Sequence, residues 1–211
     1  MKSWLGQLFG KSNDIEMRSA NDSGRRRIVI EDCWRDILAP IIRAEGFKGS
    51  GRHFRKSVGD FVLAANLQGS RWGGRFAINL GVRPLALLPE PAIESARKVK
   101  EIDCLMRDRL SPDEHDKWWD YADDVASMKS AASDAAEVFQ ARSNQQFEKM
   151  MSFVATATPE IASKAMPMVL AALATLREQQ GQIEDARGFA RLAVARATKQ
   201  WRAPDRIKHL L

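Results

Sequence analysis

The sequence predicts an α+β protein in which a small antiparallel sheet of at least three strands is covered by an N-terminal helix and followed by a mostly α-helical C-terminal half. Two observations favour this fold class. Residues 46–82 alternate apolar and polar side chains with a period of two and contain glycine-rich turns, which is typical of β-hairpins. Residues 31–45 and 127–199 instead repeat apolar side chains at three- and four-residue spacing, which is typical of amphipathic helices.

Length and composition bound the domain organisation. The 211 residues can build a sizeable core as one or two domains. We predict a flexible N-terminal segment at 1–27, an α+β domain at 28–125 and an α-helical extension at 126–211. The two cysteines, Cys33 and Cys104, are too few for a disulfide framework and favour reduced thiols in a cytoplasmic protein.

The first ten residues are too short for the apolar core of a signal peptide, and no apolar run reaches membrane-spanning length. Trp4, Leu5, Leu8 and Phe9 favour a frayed terminus or a docked turn over an interfacial membrane anchor. We therefore do not expect this segment to bind a membrane.

The first predicted helix spans residues 31–45. Pro40 lacks an amide proton and is expected to kink or restart the helix, and Gly46 is expected to end it at the C′ position. A broad apolar stripe predicts that the helix covers the sheet; it consists of Trp34, Ile37, Leu38, Ile41, Ile42 and Ala44.

Three antiparallel strands are predicted at residues 52–58, 60–68 and 75–82. A tight turn at Gly59-Asp60 joins the first pair, and a glycine-rich loop at 69–74 joins the second. One set of alternate side chains is assigned to the core: Phe54, Phe61, Leu63, Ala65, Leu67, Phe76, Ile78 and Leu80. The other set is assigned to a polar, uncrowded face: His53, Arg55, Val62, Ala64, Asn66, Gln68, Ala77 and Asn79.

The positive charge of the chain is concentrated in these strands. Residues 46–83 contain seven basic residues and one acid, Asp60, and so account for the net charge of +6 of the whole chain. The polar face has two interpretations. It is either the solvent face of a one-sided sheet, which is the commoner case, or a shallow pocket. In a pocket the amide side chains would donate and accept hydrogen bonds, while His53, Arg55 or Arg83 would hold an anion.

The second half of the chain reads as helical. Three prolines between residues 84 and 91 predict an extended connection, and a helix is predicted at 93–110. The sequence Ser111-Pro112-Asp113-Glu114 has the pattern of a capping box and predicts a helix through residue 125. Four acidic residues on that helix are interpreted as a solvated stripe rather than a cation site: Asp116, Asp120, Asp123 and Asp124.

Further helices are predicted at residues 127–154 and from Thr158, with Pro167 interrupting the latter. Residues 168–199 predict a helical hairpin with Gly181 in its turn and small residues on one helix for close packing. The spacing is similar to a single tetratricopeptide repeat, and one unit is too few for an array.

Several spaced motifs resemble the bacterial domain-of-unknown-function family 4304 over about residues 31–125. The resemblance implies a small α+β domain and supplies no catalytic residue, because the family brings no established activity. It depends on Ile37-Leu38-Ala39-Pro40, Gly46-Phe47, Phe54-Arg55, Asn66-Leu67-Gln68, Ser70-Arg71-Trp72-Gly73, Phe76-Ala77-Ile78-Asn79-Leu80-Gly81, Cys104, Arg107, Arg109-Leu110 and Lys117-Trp118-Trp119.

The motifs of common enzymes are missing from the sequence. No nucleophile elbow, phosphate-binding glycine loop, or cysteine and histidine spacing of a metal site is found, so we predict no catalytic residue, no cofactor and no metal site. We predict instead a non-catalytic binding module that uses the basic sheet and its tryptophan-containing loop. The candidate binding residues are His53, Arg55, Asn66, Gln68, Arg71, Trp72, Asn79 and Arg83.

Three partners stay open at this point. A protein partner is favoured, with an immunity or accessory role by analogy of fold. Nucleic acid bound by the basic hairpin and a small anion bound at the Asn/Gln face are the alternatives. The sequence leaves open the oligomeric state and whether the C-terminal helices pack on the sheet.

Overall fold

A computed structural model of the protein describes residues 29–113, 115–197, 202 and 204–211. The flexible segment predicted at 1–27, the Glu114 of the predicted capping box and Trp201 lie outside the described residues. The α+β fold is confirmed, since helices cover one face of an antiparallel sheet and dominate the C-terminal half. None of the helices within the described ranges is long and apolar enough to cross a lipid bilayer.

The covering helix consists of α1 (Ile30–Cys33), a π-helical segment (Trp34–Leu38) and α2 (Ala39–Ala44). The irregular segment ends just before Pro40, and the amide of Ala39 bonds to the carbonyl of Trp34, five residues earlier. This interruption agrees with the expectation that a residue without an amide proton disturbs the regular ladder. Gly46 ends the helix with φ +86° and donates to the carbonyl of Arg43 at 2.9 Å, as predicted.

The sheet has six described strands where the sequence predicts at least three. They are β1 (Lys48–Ser50), β2 (His53–Val58), β3 (Phe61–Gly69), β4 (Arg75–Pro84), β5 (Met106–Arg109) and β6 (Trp119–Asp120). All pairs are antiparallel in the order β1-β2-β3-β4-β5, and β6 also pairs with β4. Val58 pairs with Phe61, so Gly59-Asp60 forms the predicted two-residue turn.

The assignment of one strand face to the core is confirmed. Of the predicted core residues, all but the half-buried Phe61 are buried, and they share one apolar cluster with the covering helix. Three further aromatic rings surround Phe76 in this cluster: Trp34, Trp119 and Tyr121, with ring centroids at 5.4, 5.6 and 6.4 Å.

The opposite face of the strands was predicted to be uncrowded, and this prediction is wrong because another part of the chain covers it. Residues 85–104, which we call the strap, cross it as a 3-10 turn (Leu85–Leu87), α3 (Ala92–Ala96) and a second 3-10 turn (Glu101–Asp103). Val62 and Ala64 are buried in one cluster with strap residues, among them Cys104. Gly81 permits the close approach, because a β-carbon there would lie 2.7 Å from the β-carbon of Cys104.

The helix predicted at residues 93–110 is wrong. Only Ala92–Ala96 and one 3-10 turn are helical, and Met106–Arg109 is strand β5. The apolar residues that suggested a helix include Ile93 and Ile102, which are both exposed.

The helix predicted from Ser111 to residue 125 is also wrong. The Ser111 hydroxyl donates to the Asp113 carboxylate and accepts from the Asp113 amide, which closes a local turn. Trp119 pairs with and stacks on Phe76, so this part of the chain is held extended on the sheet. The four acidic residues therefore do not form a stripe on a helix. Asp116 pairs with Arg109, and Asp124 caps the next helix.

The C-terminal half contains α4 (Val125–Thr156), α5 (Pro167–Gln179), α6 (Ile183–Ala195) and a final 3-10 turn (Asp205–Leu210). The buried side of α4 joins the sheet core, so the long helix packs on the sheet. Residues from Thr158 form turns rather than the predicted helix, and Pro167 begins α5 instead of interrupting a helix. The predicted hairpin is present as α5 and α6, with Gly181 at φ +74° between them. The division between domains at residues 125 and 126 stays a prediction.

A buried arginine joins this hairpin to α4. Arg177 on α5 is 2% exposed and donates to the carbonyls of Val154, Ala155 and Ala157 at 2.9, 3.1 and 3.0 Å. These carbonyls lie at the C-terminal end of α4, where the helix itself supplies no donors. Arg177 also donates to the side chain of Gln180 at 2.9 Å.

Side chains from helices bond to the backbone at both outer strands of the sheet. Arg43 of α2 donates to the Gly49 carbonyl in β1, with its Nε and Nη2 atoms at 3.3 and 3.0 Å. Gln146 of α4 donates to the Arg109 carbonyl in β5 at 3.2 Å.

Candidate functional site

Polar side chains on five neighbouring strands form a row on the face beneath the strap. Ser50 pairs in register with His53, His53 with Asn66, Asn66 with Asn79 and Asn79 with Arg109. We call the strand surface that carries this row the amide face. Because side chains alternate along each strand, these five residues point to the same side of the sheet.

Side-chain hydrogen bonds connect two of the four neighbouring pairs in the row. The Nδ2 atom of Asn66 lies 3.2 Å from the Nδ1 atom of His53. Asn79 donates to the Gln68 side chain at 2.7 Å and accepts from the Nε atom of Arg109 at 3.3 Å. Asn79 is only 9% exposed, so its amide is used within the protein. The predicted Asn/Gln cluster exists, and much of its hydrogen-bonding capacity is already satisfied.

Two predicted anion-binding arginines, Arg55 and Arg83, donate to carbonyl groups of the strap. Arg55 donates to the carbonyl of Arg97. Arg83 donates to the carbonyls of Asp103 and Leu87 at 2.5 and 2.8 Å. These contacts hold the strap on the sheet, so we do not assign Arg83 to ligand binding.

An ion pair between a buried acid and a half-exposed arginine also fixes the strap. Glu101 is 6% exposed, and its carboxylate lies 2.5 Å from the Nε atom of Arg107 on β5. The strap therefore contributes an acid to the amide face where it crosses β4 and β5, and this part of the face is neutralised.

The last two predicted residues lie elsewhere. Arg71 and Trp72 are at the tip of the loop between β3 and β4, where Trp72 is 81% exposed. The guanidinium carbon of Arg71 is 4.6 Å from the centre of the Trp72 ring, and the Trp72 amide donates to the Ser70 hydroxyl. The structure thus divides the predicted site into two surfaces.

A groove of about 850 Å³ lies between the β1–β2 edge of the amide face and the strap. Its size is that of ligand-binding pockets in general. Five basic residues line it, and its lining contains no aspartate or glutamate. We call it the basic groove, and its basic residues are Lys48, His53, Arg55, Lys56 and Arg97.

Apolar residues line the strap side of the same groove. They are Leu85, Ile93 and Ala96, and Ile93 is 76% exposed. Lys56 is fixed at the other side, since its Nζ atom donates to the carbonyl of Glu45 at 2.8 Å. The groove therefore has a basic wall on the β1–β2 side and a strap wall that is apolar apart from Arg97.

The environment of His53 lowers its pKa below the ordinary value of a histidine. Burial is the main cause, and the positive charges of Lys100, Arg55 and Arg52 act in the same direction, whereas Glu101 opposes them. The imidazole is therefore neutral at neutral pH.

A second, smaller cavity of about 350 Å³ lies between β5, the loop that follows it and α4. Its lining mixes acids with bases, including Asp108, Asp116, Arg142 and Lys149. Asp116 already pairs with Arg109 at 2.5 Å. This mixture does not select one sign of ligand charge.

Neither cysteine is placed for nucleophilic chemistry. Cys33 and Cys104 are free thiols and are buried. Burial raises the pKa of Cys104 to about 12, so this thiol stays protonated at neutral pH. In the ranges that the structure describes, no three His, Cys, Asp or Glu side chains come together as a group that could hold a metal ion.

Sequence reasoning missed several residues of these surfaces. Lys48 and Arg97 belong to the groove, and Arg109 belongs to the amide row. The guanidinium carbons of Arg75 and Arg109 lie 5.2 and 4.5 Å from the centre of the Trp118 ring. The alternation in Met106-Arg107-Asp108-Arg109 was a signal for a short strand that would have placed Arg107 and Arg109 on one face. No local pattern pointed to Arg97, because the path of the strap brings it to the groove.

Comparison with known proteins gives a family. A family model described as a domain of unknown function (DUF4304) matches residues 38–149. The predicted resemblance is confirmed, and the matched stretch reaches further than residue 125 to include most of α4. No curated protein and no solved structure matches the chain.

Proposed function

The chain belongs to the family described as a domain of unknown function (DUF4304), and from this premise we propose that it is a non-catalytic binding module that holds an anionic partner in the basic groove. The family description assigns no activity, so the proposal depends on the geometry of the groove. The observation that carries it is a groove lining that contains five basic residues and no acid.

The arrangement of these charges favours an anion. Lys48 of β1 pairs directly with Arg55 of β2, and like charges opposite each other in an antiparallel pair are destabilising. Arg97 adds a third positive charge across the groove. A bound carboxylate or phosphate would relieve this repulsion, so binding gains free energy that the empty protein lacks.

The first test measures whether the groove itself binds anions. We expect fluorescently labelled poly-glutamate to bind the full chain in an anisotropy titration. The affinity should fall as the salt concentration is raised. Changing both Lys48→Glu and Arg97→Glu should weaken binding about tenfold or more, because two attractive charges become repulsive. Both side chains are exposed, so this variant should keep its fold, which circular dichroism would verify.

A matched control makes the same change of net charge elsewhere. Lys164→Glu combined with Arg191→Glu alters two exposed residues outside the groove. This control should bind poly-glutamate nearly as well as the unchanged chain. Equal weakening in the two double variants would mean that overall charge, and not the groove, binds the probe.

The second test uses pH. His53 is neutral in the empty groove, and a bound anion stabilises its protonated form, which raises its pKa in the complex. The complex therefore takes up a proton, so affinity for poly-glutamate should rise as the pH falls from about 7.5 to about 6, where glutamate is still ionised. The charged groups that act on the pKa of His53 are Lys100, Arg55, Arg52 and Glu101.

The control for this titration is His53→Gln, which cannot be protonated and still offers an amide to Asn66. Its affinity should vary less with pH than that of the unchanged chain. A pH dependence that is identical in both proteins would contradict the role given to His53.

A further inference from the structure

Resting on the function proposed above, we infer that the partner is an extended peptide segment of a protein in which acidic residues alternate with apolar ones. The inference comes from the two walls of the basic groove. The wall formed by β1 and β2 presents Lys48, His53 and Arg55, and the strap wall presents Leu85, Ile93 and Ala96. A ligand that satisfies both walls must carry negative charge on one side and apolar surface on the other.

An extended peptide has this geometry. Its side chains alternate between two sides, so a sequence of acidic and apolar residues in alternation has one acidic and one apolar edge. His53 and Arg55 are two residues apart on β2 and point to the same face. Their spacing is about 7 Å along the strand, which is also the spacing of alternate side chains in an extended ligand. Two acidic residues that lie two positions apart in such a ligand would therefore face His53 and Arg55.

The apolar wall argues against a small inorganic anion. A phosphate or sulfate ion would fill a small part of a groove of about 850 Å³ and leave Ile93 exposed to water. An apolar side chain placed against Ile93 and Leu85 would remove apolar surface from water on both partners. Only a larger ligand with apolar groups uses both walls.

The lining also argues against single-stranded nucleic acid. Proteins that bind such strands stack bases on aromatic side chains, and the lining of the groove contains no Phe, Tyr or Trp. The exposed Trp72 lies in the loop between β3 and β4, and Trp118 lies beside Arg75 and Arg109. Neither residue lines the groove.

The test compares three labelled probes in anisotropy titrations with the full chain: an alternating Glu-Leu peptide of about eight residues, a Glu-Ser peptide of the same length and an oligothymidylate of similar length. We expect the Glu-Leu peptide to bind at least about fivefold more tightly than the Glu-Ser peptide. Ile93→Ser should remove most of this difference and leave the affinity for Glu-Ser unchanged. Ile102→Ser, an exposed position on the strap outside the groove lining, is the matched control and should change neither affinity.

Each other outcome has a defined meaning. Equal binding of the Glu-Leu and Glu-Ser peptides, or tighter binding of oligothymidylate, would overturn this inference and leave the anion-binding function in place. Loss of the Glu-Leu preference in Ile102→Ser and its retention in Ile93→Ser would also overturn the inference. Absence of binding for both peptides and for poly-glutamate would overturn the proposed function itself.

Discussion

Replacing Arg177 with leucine is expected to lower the free energy of unfolding by about 3–5 kcal/mol. The guanidinium group donates to three backbone carbonyls at the end of α4 and to the side chain of Gln180. Leucine fills part of the space and supplies no hydrogen-bond donor. The buried carbonyl groups would then be left without hydrogen bonds. The positive charge at the C-terminal end of a helix is lost as well. Urea denaturation followed by circular dichroism measures the effect.

Two further variants separate charge from geometry at this position. Arg177→Lys keeps the positive charge, but a single ammonium group cannot reach the same set of carbonyls as the planar guanidinium, so it should recover only part of the stability. Arg191→Leu makes the same replacement at an exposed position of α6 and should change stability by less than about 0.5 kcal/mol. A comparable loss from Arg191→Leu and Arg177→Leu would refute the proposed role of Arg177 at the end of α4.

Replacing Phe76 with alanine is expected to lower the free energy of unfolding by about 3–5 kcal/mol, because it leaves a cavity in the aromatic part of the core. Phe76 is fully buried between the π-helical segment and β6, where it contacts the rings of Trp34 and Trp119. Removing it should also change the near-ultraviolet circular dichroism of these tryptophans. Denaturant titration and this spectrum together measure the effect.

The control for Phe76 is an exposed aromatic residue of the same hairpin. Trp72 is 81% exposed at the tip of the β3–β4 loop, so Trp72→Ala should change stability by less than about 0.5 kcal/mol. Phe76→Leu keeps most of the apolar volume and should cost less than Phe76→Ala. If Phe76→Ala were no more destabilising than Trp72→Ala, the assignment of the strand faces would be wrong.

The central hairpins could be predicted from the sequence because their information is local. Val58 and Phe61 flank a two-residue turn with a glycine, and the alternation that follows separates the buried face from the polar one. Gly46 likewise ends the covering helix through its own positive φ. The α5–α6 hairpin was predictable for the same reason, since its apolar spacing and Gly181 are contained within a short stretch.

Strands β5 and β6 could not be predicted in this way because distant contacts determine them. The capping-box pattern at Ser111 favours a helix locally, yet Trp119 gains more by packing on Phe76 in the core. β5 is short and charged, and it is defined by its pairing with β4 rather than by its own composition. The strap has the same origin, since nothing near Val62 or Ala64 in the sequence shows that residues 85–104 return to cover them.

The structure places the predicted binding residues on different surfaces. His53 and Arg55 line the basic groove, whereas Arg83 is occupied by the strap and Trp72 lies in a separate loop. Alternation identifies which side chains share a face, but it does not show what crosses that face. For this reason the proposed groove lies at the β1–β2 edge of the sheet, whereas the sequence pointed to its centre.

The contacts of Arg43 with Gly49 and of Gln146 with Arg109 have a consequence for the behaviour of this protein in concentrated solution. An edge strand with unpaired carbonyl groups can pair with a strand of another molecule, and repetition of that pairing produces fibres. Here a side chain from a neighbouring helix already occupies a carbonyl at each margin of the sheet. We expect these two contacts to oppose the addition of a further strand at either margin.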